Sequence, residues 1–411
     1  MPLAIDLKAP LTSVRLRSST RHPHVFRKRI DAIDGSPQVG DWVAVYDCDD
    51  RIIGHGLFNP RSEIAVRIVR FGPELPDEAY WSGILDRAVG LRRDMLSLDG
   101  QTDAYRVIHA EADGVPGVVI DRYGDVLSAE VFAYAMARHV DELLDGLQTR
   151  LGTKHRVVRG SPAIVSQEGW DIPQRTSPGT PPQANITEFG TRFRIKFAGG
   201  HKTGFFCDQR ENRQKLASYC RGKSVLDLCC YSGGFSIQAK RLGQAAEVIG
   251  VDLDEEPLAV ARENANLNQV RVKFVQADAF AYMRDMLANG RQFDVIVLDP
   301  PKLIRNREEI EEGTRKHLDL NRLAMQLVAP GGLLLSCTCA GLLPLVEFEK
   351  LLHYSARISG PVVEPATATT PERRGPRDMQ ILAKTGAAQD HPISSRCPET
   401  EYLQAVWMRM G

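Results

Sequence analysis

Two short stretches of the chain hold side chains able to do covalent chemistry. Asp299-Pro300-Pro301-Lys302 follows the apolar run Phe293 to Leu298, and Cys339 follows a second apolar run ending in Ser336-Cys337-Thr338. β-Branched and leucine-rich runs bounded by Pro and Gly read as buried parallel strands. In an open α/β sheet the ligand sits beyond the carboxyl ends of the strands, so an acid and a thiol are expected side by side in one pocket. Proline lacks an N–H and fixes φ, so Pro300-Pro301 would stiffen its loop and present carbonyls to a planar ligand. A cysteine that ends a buried strand can equally be a small apolar core residue.

A second set of residues suits a bound co-substrate. Ser224 to Cys230 reads as a first strand carrying Asp227, and Tyr231-Ser232-Gly233-Gly234-Phe235-Ser236 as a turn opening a helix. The next strand ends on Asp252, and a third, Val272 to Val275, runs out near Asp278-Ala279. An acid roughly 20 residues past a glycine turn is placed to accept hydrogen bonds from ribose hydroxyls. A dinucleotide site needs G-x-G-x-x-G for its pyrophosphate, and this loop has only the adjacent Gly233 and Gly234. S-adenosylmethionine needs close backbone approach, a ribose acid and an adenine contact, which Gly233, Asp252 and Asp278 supply. The plain alternative is that these acids only cap helices.

With a methyl donor in place, Cys339 selects the reaction. C5 of cytosine is a poor nucleophile until a thiolate adds at C6, whereas an exocyclic nitrogen needs no such help. Cys339 at C6 and Asp299 at the N3 edge therefore read as cytosine-5 chemistry, with Lys302 and Arg210 as cations to ease ionisation of the thiol. The Asp299 loop itself resembles the target-base loop of nucleic-acid methyltransferases.

The surrounding elements must position these groups. At 411 residues the chain is long for one core; with 43% apolar and 25% charged residues and no apolar run of about 20, it reads as soluble and cytoplasmic, without a membrane partner. The N-terminal Met-Pro-Leu-Ala-Ile-Asp lacks the order of a secretory signal. Eight irregularly spaced cysteines suit neither a disulfide framework nor a zinc motif, so no metal is expected. The 52 basic and 52 acidic residues balance, but Arg15, Arg17, Arg21, Arg27, Lys28 and Arg29 cluster early, beside Phe26. That cluster suits phosphate contacts or is simply a solvated face.

Short strands are expected near Gly40 to Tyr46, Ile52 to Phe58 and Ile64 to Phe71, then a helix between Pro73 and Arg92. A small α/β insert follows, with strands near Val126 to Phe132, Arg156 to Arg159 and Ala163 to Ser166 and a helix from Ala135 to Leu151. Its His109, Glu111, Asp113, Asp121 and Arg122 read as turn formers and ion pairs, and His391 as a structural turn residue. From Phe193 onward strands and helices alternate, as in a doubly wound sheet, closed by a C-terminal hairpin.

Arg21-His22-Pro23-His24-Val25-Phe26, Gly40-Asp41 and Gly54-His55-Gly56 resemble the PUA domain, an RNA-binding barrel. His201-Lys202-Thr203-Gly204-Phe205-Phe206-Cys207-Asp208-Gln209-Arg210, Tyr231-Ser232-Gly233-Gly234-Phe235, Asp299-Pro300-Pro301-Lys302 and Thr338-Cys339-Ala340-Gly341 resemble the bacterial large-subunit ribosomal RNA cytosine-5 methyltransferases. Cys207 departs from that family's usual aliphatic residue. The resemblance implies a Rossmann-like class I methyltransferase domain over 191–411, preceded by a PUA-like barrel over 1–73 and an α/β connector over 74–190. It implies Cys339 and Asp299 as catalytic residues. S-adenosylmethionine would be held by Thr203, Gln209, Arg210, Asp227, Tyr231, Gly233, Gly234, Asp252, Asp278, Ala279 and Asp299. Pro300, Pro301, Lys302, Arg21 and Phe26 would meet ribosomal RNA. The alternatives are an RNA guanine or other N-methyltransferase of the same fold, a non-catalytic RNA-binding assembly factor and, further off, a dehydrogenase; a homodimer is left open.

Overall fold

The computed structural model describes residues 11–197, 204–367, 370 and 372–411. They fall into two compact units, the first of Met1–Glu188, Ile195–Cys207 and Gln389–Thr400, the second of Phe189–Arg194, Asp208–Ala388 and Glu401–Gly411.

The first unit opens with a six-stranded sheet of Thr12–Leu16, His24–Phe26, Ile30–Asp34, Trp42–Tyr46, Ile52–Phe58 and Ile64–Phe71. Val14, Leu16, Val25, Val43, Val45, Val66 and Ile68 alternate inward to form its core. Gly54 and Gly56 are needed for close strand approach: a Cβ on either would lie 2.2 Å from the Arg70 carbonyl oxygen or 2.5 Å from that of Arg67. A five-stranded sheet follows, covered by helices Glu78–Gly90 and Val140–Leu151, which bury Trp81, Leu85, Leu143 and Leu147.

The polar residues of this insert form the expected pairs. Arg92 grips Asp113 at 2.6 and 2.8 Å and Arg106 grips Asp121 at 2.7 and 2.9 Å, while buried His391 rests on Asp390 at 3.1 Å. Two elements differ from expectation. The strand expected at Ala163 to Ser166 is instead the helix Ile164–Glu168. Its β-branched residues are overridden by Glu168, whose buried carboxylate accepts from Ser62 Oγ (2.7 Å), Asn59 Nδ2 (2.8 Å) and the Tyr134 amide (3.1 Å). The single helix expected from Ala135 to Leu151 is two, Tyr134–Ala137 and Val140–Leu151, because His139 leaves the helical ladder at φ −114°, ψ −5°.

Buried histidines make this unit sensitive to acid. Burial, then Arg106 and His391, push the pKa of His109 down to about 2, and burial with Arg138 takes His139 to about 4. Both folded values lie below the unfolded one, so the unfolded chain binds more protons between about pH 6.5 and 4 and stability falls as pH drops through that window. In the second unit burial lowers His317 to about 4 but raises Asp227 to about 7, and these opposite slopes cancel to first order. Acidification from pH 7 to 5 should therefore unfold the first unit ahead of the second. Thermal melts followed by tryptophan fluorescence report it, since Trp42, Trp81 and Trp170 lie in the first unit and Trp407 in the second.

The second unit is a seven-stranded sheet. Its strands are β1 (Ser224–Leu228), β2 (Glu247–Asp252), β3 (Lys273–Gln276), β4 (Phe293–Leu298), β5 (Val328–Thr338), β6 (Met379–Thr385) and β7 (Gln404–Met410), in the order β3-β2-β1-β4-β5-β7-β6. β1 to β5 run parallel, and β7 is antiparallel to both β5 and β6, the C-terminal hairpin expected. Its helices are α1 (Arg210–Ala217), α2 (Gly234–Arg241), α3 (Glu255–Leu267), α4 (Ala279–Ala288), α5 (Ile310–Leu327) and α6 (Leu345–Arg357). Two apolar layers flank the sheet, which is why β1, β4 and β5 are apolar on both faces. Among the described residues no helix is long and apolar enough to cross a membrane.

Candidate active site

The carboxyl ends of β1, β2 and β4 gather carboxylates. Asp227, buried in β1, takes the Ser236 amide and hydroxyl on Oδ2 at 2.9 and 2.6 Å, which ties the strand to the first turn of α2. Its Oδ1 is buried without a hydrogen-bond partner. Burial pushes its pKa up to about 7 against the Ser236 bonds, and Asp299 and Asp252 push the same way. Asp252 at the end of β2 accepts the Tyr231 amide on Oδ2 at 2.8 Å and the Asp254 amide on Oδ1 at 3.0 Å. Asp278 caps α4 through the Ala281 amide at 3.0 Å, so it performs the capping role as well, with Ala279 half-buried beside it.

The turn between β1 and α2 is bent at alternate residues, with φ of 62° at Cys229, 50° at Tyr231 and 80° at Gly233. Non-glycine residues at positive φ persist only where their surroundings hold them, and they concentrate at functional sites. Gly233 is also needed for packing, since a Cβ there would meet Phe274 at 3.0 Å and Ala261 at 3.1 Å. Gly234 leaves room for Arg213, whose Cδ would lie 3.1 Å from its Cβ. Burial first, then the field of Asp252, Asp299, Asp227 and Asp278, holds the Cys229 thiol well above the usual range. Such a concentration of negative charge repels a pyrophosphate and suits a sulfonium cation with an ammonium group. The orphaned Asp227 oxygen supplies an unmet acceptor in the same place. These residues fit S-adenosylmethionine.

Across the sheet, Leu298 pairs with Ser336, so the register places Asp299 level with Cys337 and Cys339 two residues further on. Strand alternation sends Ser336 and Thr338 to one face and Cys337 and Cys339 to the other. Ser336 donates to Asn321 Oδ1 at 2.6 Å, and Thr338 Oγ1 lies 3.2 Å from His317 Nε2, both on α5. Cys337 is fully buried; burial first, then Asp299, raises its pKa far above the ordinary thiol value. Cys339 is half-buried and packs against the cluster that contains Cys337.

Asp299 is held by a directional chain of hydrogen bonds. Trp407 Nε1 donates to Thr385 Oγ1 (2.8 Å), Thr385 to Asn212 Oδ1 (2.7 Å), Asn212 Nδ2 to Gln209 Oε1 (2.7 Å) and Gln209 Nε2 to Asp299 Oδ2 (3.0 Å). Each donor fixes the orientation of the next, so Asp299 Oδ2 is an acceptor. Pro300 is buried, and Pro301 and Lys302 are exposed. Arg210 is fully buried with Glu211 at 2.8 Å, so its charge is matched locally and not offered whole to a thiol.

Sequence reasoning missed His317, Asn321, Asn212 and Ser236. The signal was present for the first two: polar residues four apart share a helix face, here one that also buries Leu320 and Ala324. His317→Leu removes the contact to the residue preceding Cys339. The loss of about one hydrogen bond is expected to slow methyl transfer roughly five- to tenfold in single-turnover assays, with the fold intact by circular dichroism.

Thr203, with His201 and Lys202, lies outside the described residues. In the first unit, much of the early basic cluster serves the barrel itself. Arg27 donates to the carbonyls of Pro60 (2.6 Å) and Ser62 (2.8 Å), Arg29 to that of Ser19 (3.0 Å), Arg17 to that of Ile30 (3.2 Å), and Arg15 pairs with Asp50 at 2.7 Å. Arg21, Lys28 and Phe26 are exposed.

A sheet of this order, with carboxylates at the ends of β1, β2 and β4 and an acid and a thiol on adjacent strands, defines a Rossmann-like methyltransferase. The profile of S-adenosylmethionine-dependent methyltransferases matches residues 176–363 and that of PUA-like domains residues 16–71. Ribosomal RNA large subunit methyltransferase I of Pseudoalteromonas atlantica is 33% identical over 391 residues, 94% of each chain. Its namesake in Aeromonas hydrophila is 35% identical over 398 residues, 95% of each chain. A Streptococcus mutans protein assigned as a SAM-dependent methyltransferase shares the fold, with a TM-score of 0.77 at 18% identity over 97% of this chain and 99% of its own. The chain belongs to the ribosomal RNA large subunit methyltransferase I family, enzymes that take their methyl group from S-adenosylmethionine.

Proposed function

We propose that the protein methylates C5 of a cytosine in large-subunit ribosomal RNA through a covalent bond from Cys339 to C6. S-adenosylmethionine, when bound, supplies an electrophilic methyl group; Asp252, Asp278, Asp227 and the Tyr231–Gly234 turn are the residues suited to hold it, with Gln209, Arg210 and Ala279 at its margins. Asp299, oriented by the Gln209 amide on Oδ2, meets the N3 edge of the base. The Cys339 thiolate adds to C6, and the electron pair of the C5–C6 bond makes C5 nucleophilic. Once C5 is methylated, loss of its proton to a base restores the double bond and expels Cys339. Pro300, Pro301 and Lys302 line the approach of the base, and Arg21 and Phe26 of the PUA-like barrel (1–73) meet RNA by charge and stacking, with 74–190 as connector.

The observation that carries this reading is the contrast between Cys337 in β5 and Cys339 just beyond its end: Cys337 is sealed and held as the thiol, while Cys339, on the same face and nearer the open end, is half-buried. An N-methyltransferase would have no use for it. Incubation with labelled S-adenosylmethionine and undermodified ribosomal RNA, followed by digestion to nucleosides, should place the label in 5-methylcytidine. Label in methylated guanosine or adenosine would replace this reading with the N-methyltransferase one.

A further inference from the structure

The first unit carries a side-chain cluster that methyl transfer does not use. His22 and His24 flank Pro23 at the start of the second barrel strand, and Cys397 reaches them from the segment Gln389–Thr400. One donor atom from each of the three lies within 4.8 Å of the others. Each imidazole already has its Nε2 against a carboxylate: His22 on Glu399 at 3.1 Å and His24 on Glu111 at 2.8 Å. Nε2–H to carboxylate is the arrangement that fixes a metal-binding histidine in the tautomer with Nδ1 as the free donor. Nδ1 of His22 shows that lone pair, since it accepts the His24 amide at 3.0 Å, a bond an ion would displace. Cys397 is buried, with Sγ 3.5 Å from Glu399 Oε2. Arg67, 3.2 Å from His24 Nε2, offsets part of the charge of Glu111.

We propose that His22, His24 and Cys397 bind one divalent cation of the zinc type, with Glu399 and Glu111 as the carboxylates that orient the two rings. Two imidazoles and a thiolate are the donor set that zinc prefers over magnesium or calcium, with a fourth position left for water. Neighbouring ligands on a tetrahedral zinc lie about 3.3–3.6 Å apart, so three donors already within 4.8 Å of one another need only a small inward shift. Binding releases the Cys397 proton to solvent and forms the metal–sulfur bond. The ion would clamp the segment 389–400 to the barrel. Spacing along the chain gives no sign of such a cluster, because His22 and its partner Glu399 lie 377 positions apart.

The test is cobalt(II) titration of the chelator-stripped full-length protein, followed by zinc competition. One equivalent should produce a thiolate-to-cobalt charge-transfer band in the near ultraviolet and the intense visible bands of a tetrahedral ion, both removed by zinc. Cys397→Ser should lose the charge-transfer band, and His22→Gln, at a partly exposed position, should weaken binding at least tenfold with an unchanged circular dichroism spectrum. Absence of any band in the wild type, or a band that survives in Cys397→Ser, overturns the proposal.

Discussion

Cys339→Ala should abolish methyl transfer, with a fall in kcat of at least about 10³-fold, while binding of the methyl donor stays within a few-fold of the wild type. The carboxylates proposed to hold the donor lie at the ends of β1 and β2, and the thiol follows β5, so removal of the sulfur should leave the donor site intact. The companion variant Cys337→Ala is expected to show the reverse. Its sulfur is fully buried between β4, β5 and β7 neighbours, so truncation leaves a small void and costs about 1 kcal/mol of stability, with activity retained within a few-fold. Single-turnover rates and urea unfolding on the two variants separate nucleophile from core residue. If Cys337→Ala were the dead variant and Cys339→Ala the active one, the assignment would be reversed.

Asp299→Asn comes second in size. The chain from Trp407 through Thr385, Asn212 and Gln209 delivers a hydrogen to Asp299 Oδ2, and it has no alternative sense without turning two amides. An asparagine there would set its own NH₂ against Gln209 or present it to the base, and neither supplies the carboxyl proposed for the N3 edge. A drop in kcat of roughly 10²–10⁴-fold is expected, the range of a lost positioned acid or base. Gln209→Leu leaves the carboxylate but removes its anchor, and should fall between Asp299→Asn and the wild type. Equal activity of Asp299→Asn and wild type would remove Asp299 from the chemistry.

The methyltransferase sheet was largely legible in the sequence, because parallel strands buried on both faces announce themselves as apolar runs ending in Asp227, Asp252 and Asp299. The antiparallel C-terminal hairpin was legible for the same reason. Register was not. Adjacency of two strand ends suggested an acid beside Cys339, yet the pairing of Leu298 with Ser336 sets Asp299 level with Cys337. A shift of two residues keeps the same face, so only the fold distinguishes a sealed thiol from an accessible one. Gly233 was read as room for the donor, and the structure adds a local demand, its positive φ and the nearness of Phe274 and Ala261. The basic cluster overstated the RNA face, because a guanidinium that caps a loop's carbonyls and one that awaits a phosphate look alike in a sequence. The short helix Ile164–Glu168 was misread because the buried carboxylate network that secures it comes from residues about a hundred positions away.

5-Fluorocytidine-substituted ribosomal RNA tests the covalent bond between Cys339 and the base. With fluorine at C5, methylation leaves no proton for a base to remove, so the bond from Cys339 to C6 cannot be broken by elimination. Wild-type enzyme with S-adenosylmethionine should form a protein–RNA adduct stable to denaturation, and proteolysis should map it to the peptide containing Cys339. Cys339→Ala should form none and Cys337→Ala should form it normally. No adduct with the wild type, or an adduct undiminished in Cys339→Ala, would rule out Cys339 as the nucleophile.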